Sequence, residues 1–145
     1  VYANGDVKKL SPQPQPPLPL KYVVIGTLKV RSEVAKTFEE RRAGLSWRKS
    51  LPADAGMLFI YQLLDKPVFW MHGMQFPLDI VWINNYRVVD LSENVPPPSS
   101  PDAEPARVAP EEVINMVLEV NAGLLKKHGI KKGDKVKILN YVKQG

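Results

Sequence analysis

Alternating apolar and polar side chains run through much of the chain and predict β-strands. Leu28, Val30 and Val34 alternate with charged residues, which is the two-residue period of a strand with one buried face. Other apolar segments are too short for buried helices. The predicted strands are Tyr22–Ala35 with a bend at Gly26, Met57–Tyr61, Val68–His72, Leu78–Ile83, Arg87–Ser92 after an Asn84-Asn85 turn, Val113–Val120 and Lys135–Val142.

Two short segments carry helix signals instead. Thr37 and Glu40 have the spacing of a capping box, which predicts a helix over Phe38–Ala43. Asn121 is suited to begin a second helix, Ala122–His128. Many short strands with only two helices leave no room for the crossovers of a doubly wound parallel sheet. The pattern therefore predicts a mainly β (β-rich α+β) fold, a single small barrel-like domain of about seven strands.

Proline-rich stretches mark the segments of the chain that are predicted to be irregular. The chain has 145 residues and 14 prolines, five of which lie in Ser11–Leu20. Such a run favours the polyproline II conformation, a semi-rigid spacer. We therefore interpret residues 1–20 as a proline-rich N-terminal stalk or linker and residues 21–145 as one β-rich domain.

A second proline-rich stretch lies inside the domain. Glu93–Glu112 has no hydrophobic periodicity and contains six prolines. Its length far exceeds the usual four to six residues of a connection. We expect this loop to cover one end of the domain near Trp70 and His72.

Composition and charge limit the partners and the chemistry that the chain can have. The net charge is +5, and the lysines of the C-terminal segment lack the interleaved aromatic residues of a nucleic-acid surface. A solvated lysine face and no nucleic-acid partner are expected. Cysteine is absent, which excludes disulfides and thiolate catalysis, and no apolar run approaches the length of a membrane span.

The first residues suggest export. Val1-Tyr2-Ala3 places small or aliphatic side chains where signal peptidase requires them, although an arbitrary boundary of the sequence is an equal alternative. With the proline-rich stalk, this favours an extracytoplasmic protein, secreted or surface-tethered.

Two polar residues stand out inside apolar strands. Burying the carboxylate of Asp79 or the ring of His72 alone costs several kcal/mol, so each needs a partner. For Asp79 the structural interpretation is an ion pair with Arg41 or Arg48, or bonds to backbone amides; the functional one is a ligand pocket. The candidate ligand-binding residues are Trp70, His72, Asp79 and Asn94.

An enzymatic interpretation needs a second acid. Glycoside hydrolysis uses two carboxyl groups across a cleft, and Asp79 with Glu93 or Glu119 supplies the candidates, with Trp70 as the sugar platform. The chain has only two histidines and no phosphate-binding or dinucleotide motif, so no metal and no cofactor are predicted.

Several separated motifs resemble one family. They are Thr37-Phe38-Glu39-Glu40-Arg41-Arg42-Ala43-Gly44-Leu45, Gly56-Met57-Leu58-Phe59, Phe69-Trp70-Met71, Pro77-Leu78-Asp79-Ile80 and Leu118-Glu119-Val120-Asn121-Ala122-Gly123. In this order and spacing they resemble the domain of unknown function 192 (DUF192) family over about Lys21–Val142. The resemblance implies a single small β-rich domain, often exported, with no established activity.

The chain departs from the family pattern at two places. It has Ser46 where the pattern has Met, and His72-Gly73-Met74 where the pattern has Lys-Asn-Thr.

Taking the sequence as a whole, we expect a monomeric extracytoplasmic binding or structural module whose ligand is a glycan or envelope polymer. The alternative is a hydrolase acting on an envelope or extracellular glycan through paired carboxylates.

Overall fold

A computed structural model describes residues 12–143 of the chain. Its elements are, in chain order, β1 Leu20–Ile25, β2 Leu28–Ala35, α1 Phe38–Ala43, β3 Ala55–Asp65, β4 Phe69–Trp70, β5 Leu78–Asn84, β6 Arg87–Val95, β7 Arg107–Val108, β8 Ile114–Asn121, α2 Leu124–Lys127 and β9 Lys137–Asn140.

Seven of the strands form one sheet in the order β6-β5-β8-β3-β2-β1-β9, and β4 pairs with β7 in a separate two-stranded sheet. Every neighbouring pair is antiparallel except β2 and β3, which are parallel and joined through α1. The predicted mainly β fold with two short helices is confirmed.

The barrel-like domain is not a closed barrel, because the sheet does not close. Its edge strands are β6 and β9, and only one isolated bridge, Arg87 with Lys135, connects the start of β6 to the segment before β9. The Val88 N–H donates to the Asp134 carbonyl and the Val136 N–H donates to the Tyr86 carbonyl, both at 2.9 Å. The edges therefore approach each other at one end of a curled sheet without forming a continuous ladder.

Two elements of the structure differ from the predicted ones. The single bent strand Tyr22–Ala35 is a hairpin, because Gly26 adopts φ +58° and turns the chain back on itself instead of bending it. The second helix begins at Gly123, and not at Asn121, and spans one turn. By contrast, α1 has the predicted bounds, and the capping box of Thr37 and Glu40 is formed.

The sheet has two apolar faces. We call the face that carries Val81, Leu118 and Val120, covered by Leu125, the α2 face. The α1 face carries Met57, Phe59, Ile80, Trp82 and Val117 and packs against Leu45 beside α1. Each face has its own buried cluster, so residues one position apart on a strand enter different environments.

Part of the predicted stalk contacts the domain. The Gln15 Nε2 donates to the carbonyls of Glu40 and Gly44, at 3.1 and 2.9 Å. The Leu18 N–H donates to Glu33 Oε1 at 2.9 Å, and the Leu18 side chain packs against the α1-face cluster. Residues 15–19 are thus attached to the domain surface, whereas most of the predicted stalk, residues 1–11, lies outside the described residues.

Candidate functional site

Two carboxylates are buried in neighbouring strands of the sheet. Asp79 on β5 is 0% exposed and Glu119 on β8 is 6% exposed. The register pairs Asp79 with Val120 and Ile80 with Glu119. Directly opposed residues of an antiparallel pair share a face, so Asp79 lies on the α2 face and Glu119 lies on the α1 face.

Asp79 is fully bonded to the backbone. Its Oδ1 accepts from the Asn94 N–H at 2.8 Å, and its Oδ2 accepts from the N–H groups of Gly123 at 2.9 Å and Leu125 at 3.1 Å. These bonds join β5 to the end of β6 and to the first turn of α2. The backbone-amide interpretation of Asp79 is therefore the correct one, and the group is structural.

The predicted ion pair of Asp79 with Arg41 or Arg48 is wrong. Arg48 pairs with Glu33 on β2, through Nη1–Oε2 at 2.6 Å and Nη2–Oε1 at 3.0 Å. Burial raises the pKa of Glu33, but the Arg48 bonds and the Leu18 N–H outweigh that effect and lower it. The arginines take other partners because α1 and the following loop lie on the opposite face of the sheet from Asp79.

Glu119 lies at a pocket of about 180 Å³ on the α1 face. We call it the Glu119 pocket. Besides Glu119, it is lined by Arg41, Arg42, Ala43, Gly44, Leu45, Ser46, Phe59, Tyr61, Val68, Phe69, Trp70 and Met74. The lining contains one carboxyl group and two guanidinium groups among otherwise apolar and small residues.

The carboxyl group of Glu119 has no hydrogen-bond partner among residues 12–143. Its neighbours across the two ladders are Met57 on β3 and Ile80 on β5, neither of which offers a polar side chain. Burial raises the pKa of Glu119 to about 8. At neutral pH the group is therefore mainly protonated and is a hydrogen-bond donor as well as an acceptor.

Arg41 and Tyr61 form one wall of the pocket. Arg41 Nη1 donates to the carbonyls of Lys36 and Ile60, and its guanidinium carbon lies 4.6 Å from the centre of the Tyr61 ring. Burial raises the pKa of Tyr61 to about 12; Asp65 and Glu119 add to that rise, and Arg41 opposes it. Tyr61 follows Ile60, where the pairing of β3 with β8 is interrupted until Asp65.

Trp70 lies at the other wall, in an aromatic cluster with His72, which does not itself line the pocket. The two rings stack with centroids 4.9 Å apart, and the Trp47 ring meets His72 edge-on at 5.6 Å. The Arg107 guanidinium lies 4.9 Å from the centre of the Trp70 ring. Because Arg107 belongs to the proline-rich loop, the predicted contact between that loop and Trp70 is confirmed.

The two departures from the family pattern touch each other. Ser46 Oγ donates to the His72 carbonyl at 2.7 Å, and the Trp47 N–H donates to the Gly73 carbonyl at 2.8 Å. A side chain at Gly73 would come within 2.8 Å of the Trp47 ring and 3.1 Å of the Ser46 Cβ, and Gly73 adopts φ +74°. The unusual residues therefore form one interlocked contact at the pocket edge.

The predicted catalytic carboxylates are not brought together. Asp79 and Glu119 are on opposite faces of the sheet, and Glu93 is exposed at the end of β6. Asn94, a predicted ligand-binding residue, contributes its backbone N–H to Asp79 and adopts φ +52°. A pair of acids across one cleft is therefore absent from the part of the chain that the structure describes.

Arg42 and Ser46 were not predicted as pocket residues, and Tyr61, an aromatic residue that could stack on a sugar, was interpreted as core packing. Tyr61 ends a predicted strand, and no sequence signal shows that α1 brings Arg41 over its ring. Arg42 follows Arg41 on α1, and a second basic residue in the last turn of a short helix is ordinarily explained by the helix dipole. A pocket built from four separate segments has no local signature.

Within residues 12–143 no group of three or more acidic or histidine side chains could hold a metal ion. In the same residues, neither helix has the length and hydrophobicity that crossing a membrane requires.

Comparison with known proteins gives a family without an activity. Residues 22–138 match the family model DUF192, described as an uncharacterized ACR. No curated protein matches the chain. The fold is similar to a crystal structure of a protein of unknown function from Novosphingobium aromaticivorans, with a TM-score of 0.76, 30% identity, and coverage of 94% of this chain and 99% of that one.

A second similar structure is that of a putative transcription regulator from Sinorhizobium meliloti. Its TM-score is also 0.76, at 27% identity over 86% of this chain and 97% of that one.

Proposed function

We propose that the chain, which belongs to the DUF192 family, is a binding module that takes a small molecule, or a small group of a larger one, into the Glu119 pocket. The observation that carries this proposal is the Glu119 carboxyl group itself, 6% exposed and without a hydrogen-bond partner among the described residues.

An unpartnered buried carboxyl group is costly to the fold. Burying a polar group without a hydrogen bond costs about 1–3 kcal/mol in proteins, and more when the group is charged. An apolar residue at position 119 would extend the cluster of Met57, Ile80 and Phe59 without that cost. A ligand that bonds the carboxyl group explains why the position is polar.

The comparison with Asp79 strengthens the argument. On the other face of the same sheet, the fold satisfies a buried carboxylate with three backbone N–H groups. The fold is therefore able to bond a buried acid fully where the acid is structural. Glu119 receives no such bonds and instead lies at a pocket with Arg41 and Trp70 in its walls.

The hydrolase alternative has less support. Retaining and inverting glycosidases both need two carboxyl groups facing the same bond, and the pocket lining contains one. A glycan or envelope polymer remains a candidate ligand for the binding module, because Trp70 lines the pocket and aromatic rings stack on sugars.

An extracytoplasmic location, secreted or surface-tethered, is part of the proposal, as is a monomeric state. The proline-rich segment before the domain is what supports the location. Cell fractionation of the producing organism tests it: recovery with cytoplasmic marker proteins would contradict export. Light scattering of the purified chain tests the oligomeric state.

Binding is tested by nuclear magnetic resonance titration of the isotope-labelled protein with a panel of small probes: benzoate, benzyl alcohol, benzylamine, N-acetylglucosamine and inorganic phosphate. We expect at least one probe to shift the amide signals of residues 41–46 and 68–74. The amide signals of residues on the α2 face should stay unchanged. Glu112→Gln, which changes an exposed carboxylate, is the matched control and should bind as the wild type does.

Glu119→Met fills the same position with an apolar side chain and should abolish or strongly weaken that binding. If no probe shifts the pocket signals, or if Glu119→Met binds every probe as the wild type does, the proposal is wrong.

A further inference from the structure

The geometry of the Glu119 pocket points to the chemical class of its ligand: we propose that the pocket binds a carboxylate that carries a short aromatic or branched apolar tail. This inference rests on the proposed binding function and adds the identity of the group that is bound. Three features of the pocket carry it.

The first feature is size. The pocket has a volume of about 180 Å³, and an engineered apolar cavity of about 150 Å³ is known to hold benzene. The Glu119 pocket therefore has room for a phenyl ring or a branched aliphatic chain. Most of its lining is apolar, with Leu45, Phe59, Phe69 and Met74 among its residues.

The second feature is charge. Arg41 and Arg42 both line the pocket, and Glu119 is the one acidic residue in the part of its lining that residues 12–143 form. The two backbone bonds of Arg41 both use Nη1, so the donors on Nε and Nη2 are left for Tyr61 and a ligand. Guanidinium groups attract a carboxylate and repel an ammonium group, which makes an anionic ligand the better match.

The third feature is the Glu119 carboxyl group. It is enclosed by apolar residues, which disfavours the ionised form. A neutral carboxyl group has one O–H donor, and a ligand carboxylate is a strong acceptor for it. The protonated Glu119 and Arg41 then act together, the first through a short O–H···O bond and the second through charge.

This arrangement links binding to one proton. Of the described residues, the titratable or charged groups that line the pocket with Glu119 are Arg41 and Arg42 from α1 and Tyr61 from β3. Ile80 on β5 lies opposite Glu119, and the segment 68–74 lines the pocket with Val68, Phe69, Trp70 and Met74, while its His72 stacks on Trp70. The arginines stay charged and Tyr61 stays neutral up to pH 9. A change of affinity between pH 7 and pH 9 therefore reports on Glu119.

The direction of that change separates ligand classes. A carboxylate needs Glu119 protonated, so its affinity should fall about tenfold between pH 7 and pH 9. An amine would pair with the ionised Glu119, so its affinity would rise over the same interval. The affinity of a neutral ligand of the same shape would change much less than tenfold between pH 7 and pH 9.

The experiment measures the affinities of benzoate, benzyl alcohol and benzylamine by calorimetry at pH 7 and pH 9, with melting temperatures recorded to confirm folding. We expect benzoate to bind most tightly and to weaken about tenfold at pH 9. Glu119→Gln keeps a donor that cannot ionise, so it should bind benzoate at both pH values with affinities that agree within about threefold. Glu119→Met should lose at least tenfold at pH 7.

The source of the carboxylate is distinguished by a second pair of probes. N-acetylphenylalanine represents the C-terminal residue of a peptide, and its carboxamide is the matched control. Binding of N-acetylphenylalanine but not of the amide, more tightly than benzoate, assigns the carboxylate to a peptide end; tighter binding of benzoate assigns it to a free acid. Either result supports the carboxylate class.

Tightest binding of benzylamine or benzyl alcohol overturns the carboxylate assignment and leaves the binding function standing. So does benzoate affinity that is unchanged at pH 9 or in Glu119→Met. If none of the probes binds at the pocket, both the assignment and the proposed function fail.

Discussion

The two faces of the sheet treat a buried acid in opposite ways. On the α2 face, Asp79 accepts three backbone N–H bonds and holds β5, β6 and α2 together. On the α1 face, Glu119 lies in an apolar setting beside a pocket and accepts no bond from the described residues. The sequence places both acids in similar apolar strands, so burial alone does not distinguish a structural acid from a functional one. The hydrogen-bond partners that the fold provides do distinguish them.

The largest expected effect is on the α2 face. Asp79→Asn replaces one accepting oxygen by an NH2 group that faces backbone donors, and it removes the charge from all three bonds. Leaving buried donors unsatisfied costs about 1–3 kcal/mol each, so we expect a loss of about 4 kcal/mol in the free energy of unfolding, measured by urea denaturation. A loss below about 1 kcal/mol would show that Asp79 is not a structural group.

The second effect concerns the α1 face and appears as a pH dependence of stability. The pKa of Glu119 is raised from 4.5 to about 8 by burial, so the folded state binds the proton more tightly than the unfolded state does. Stability should then fall as the pH rises from about 5 to about 8, by roughly 1.4 kcal/mol per pH unit from this group.

Glu119→Gln cannot ionise and should lack that slope. The measurement is the free energy of unfolding of both proteins at pH 5, 6, 7 and 8, with Glu112→Gln as the exposed control. Parallel curves for Glu119→Gln and the wild type would mean that Glu119 is ionised in the folded protein, and the contrast with Asp79 would disappear.

A third acid provides an intermediate case. Glu33 is partly buried but has both a cation, Arg48, and the Leu18 N–H as partners. Glu33→Gln should cost about 1–2 kcal/mol and should speed amide exchange at Leu18, because its bond attaches residues 15–19 to the domain. Unchanged exchange at Leu18 would show that other contacts, such as those of Gln15, are sufficient.

The lowered pKa of Glu33 gives this pair a pH dependence of opposite direction to that of Glu119. The contribution of Glu33 to the free energy of unfolding is fully present above the ordinary pKa of a glutamate. It is lost as the pH falls through the lowered pKa that Glu33 has in the folded protein. The two acids should therefore act at different ends of the pH range.

The smallest effect concerns the pocket wall. Arg107→Ala removes the cation over Trp70, an interaction worth about 0.5–1 kcal/mol at a partly exposed site. We expect a loss of about that size and a change in tryptophan fluorescence. Amide exchange at Asn94, Gly123 and Leu125 should stay the same, since these groups bond Asp79 on the other face; faster exchange there would mean that the faces are coupled.

Local signals in the sequence predicted local structure well. The capping box located α1, and alternation located the strands that pack on one face, because both depend on neighbours a few residues apart. The hairpin of β1 and β2 was missed because a glycine in a strand pattern is compatible with a bend or a turn. The curl of the open sheet was missed because strand order depends on long-range pairing.

The site was predicted only in part, for the same reason. Asp79 was predicted as an acid in an apolar strand and Glu119 as a candidate second acid, but their separation onto two faces follows from a register of β5 against β8 that the sequence does not display. Arg41 belongs to a family motif, yet its contacts with Ile60 and Tyr61 depend on how α1 packs against β3, which the sequence does not display.

The pairing of β1 with β9 has a consequence for engineering. Lys21, near the start of the first strand, lies opposite Asn140, at the end of the last one. Because these two positions are paired neighbours, a short linker could join the chain at the start of β1 to the end of β9, and new termini could be opened at the Asn84–Arg87 hairpin. The same proximity suits the unit for insertion, as a cassette, into a surface loop of a host protein, where a ligand-dependent change in the cassette could be read out as a change in host fluorescence.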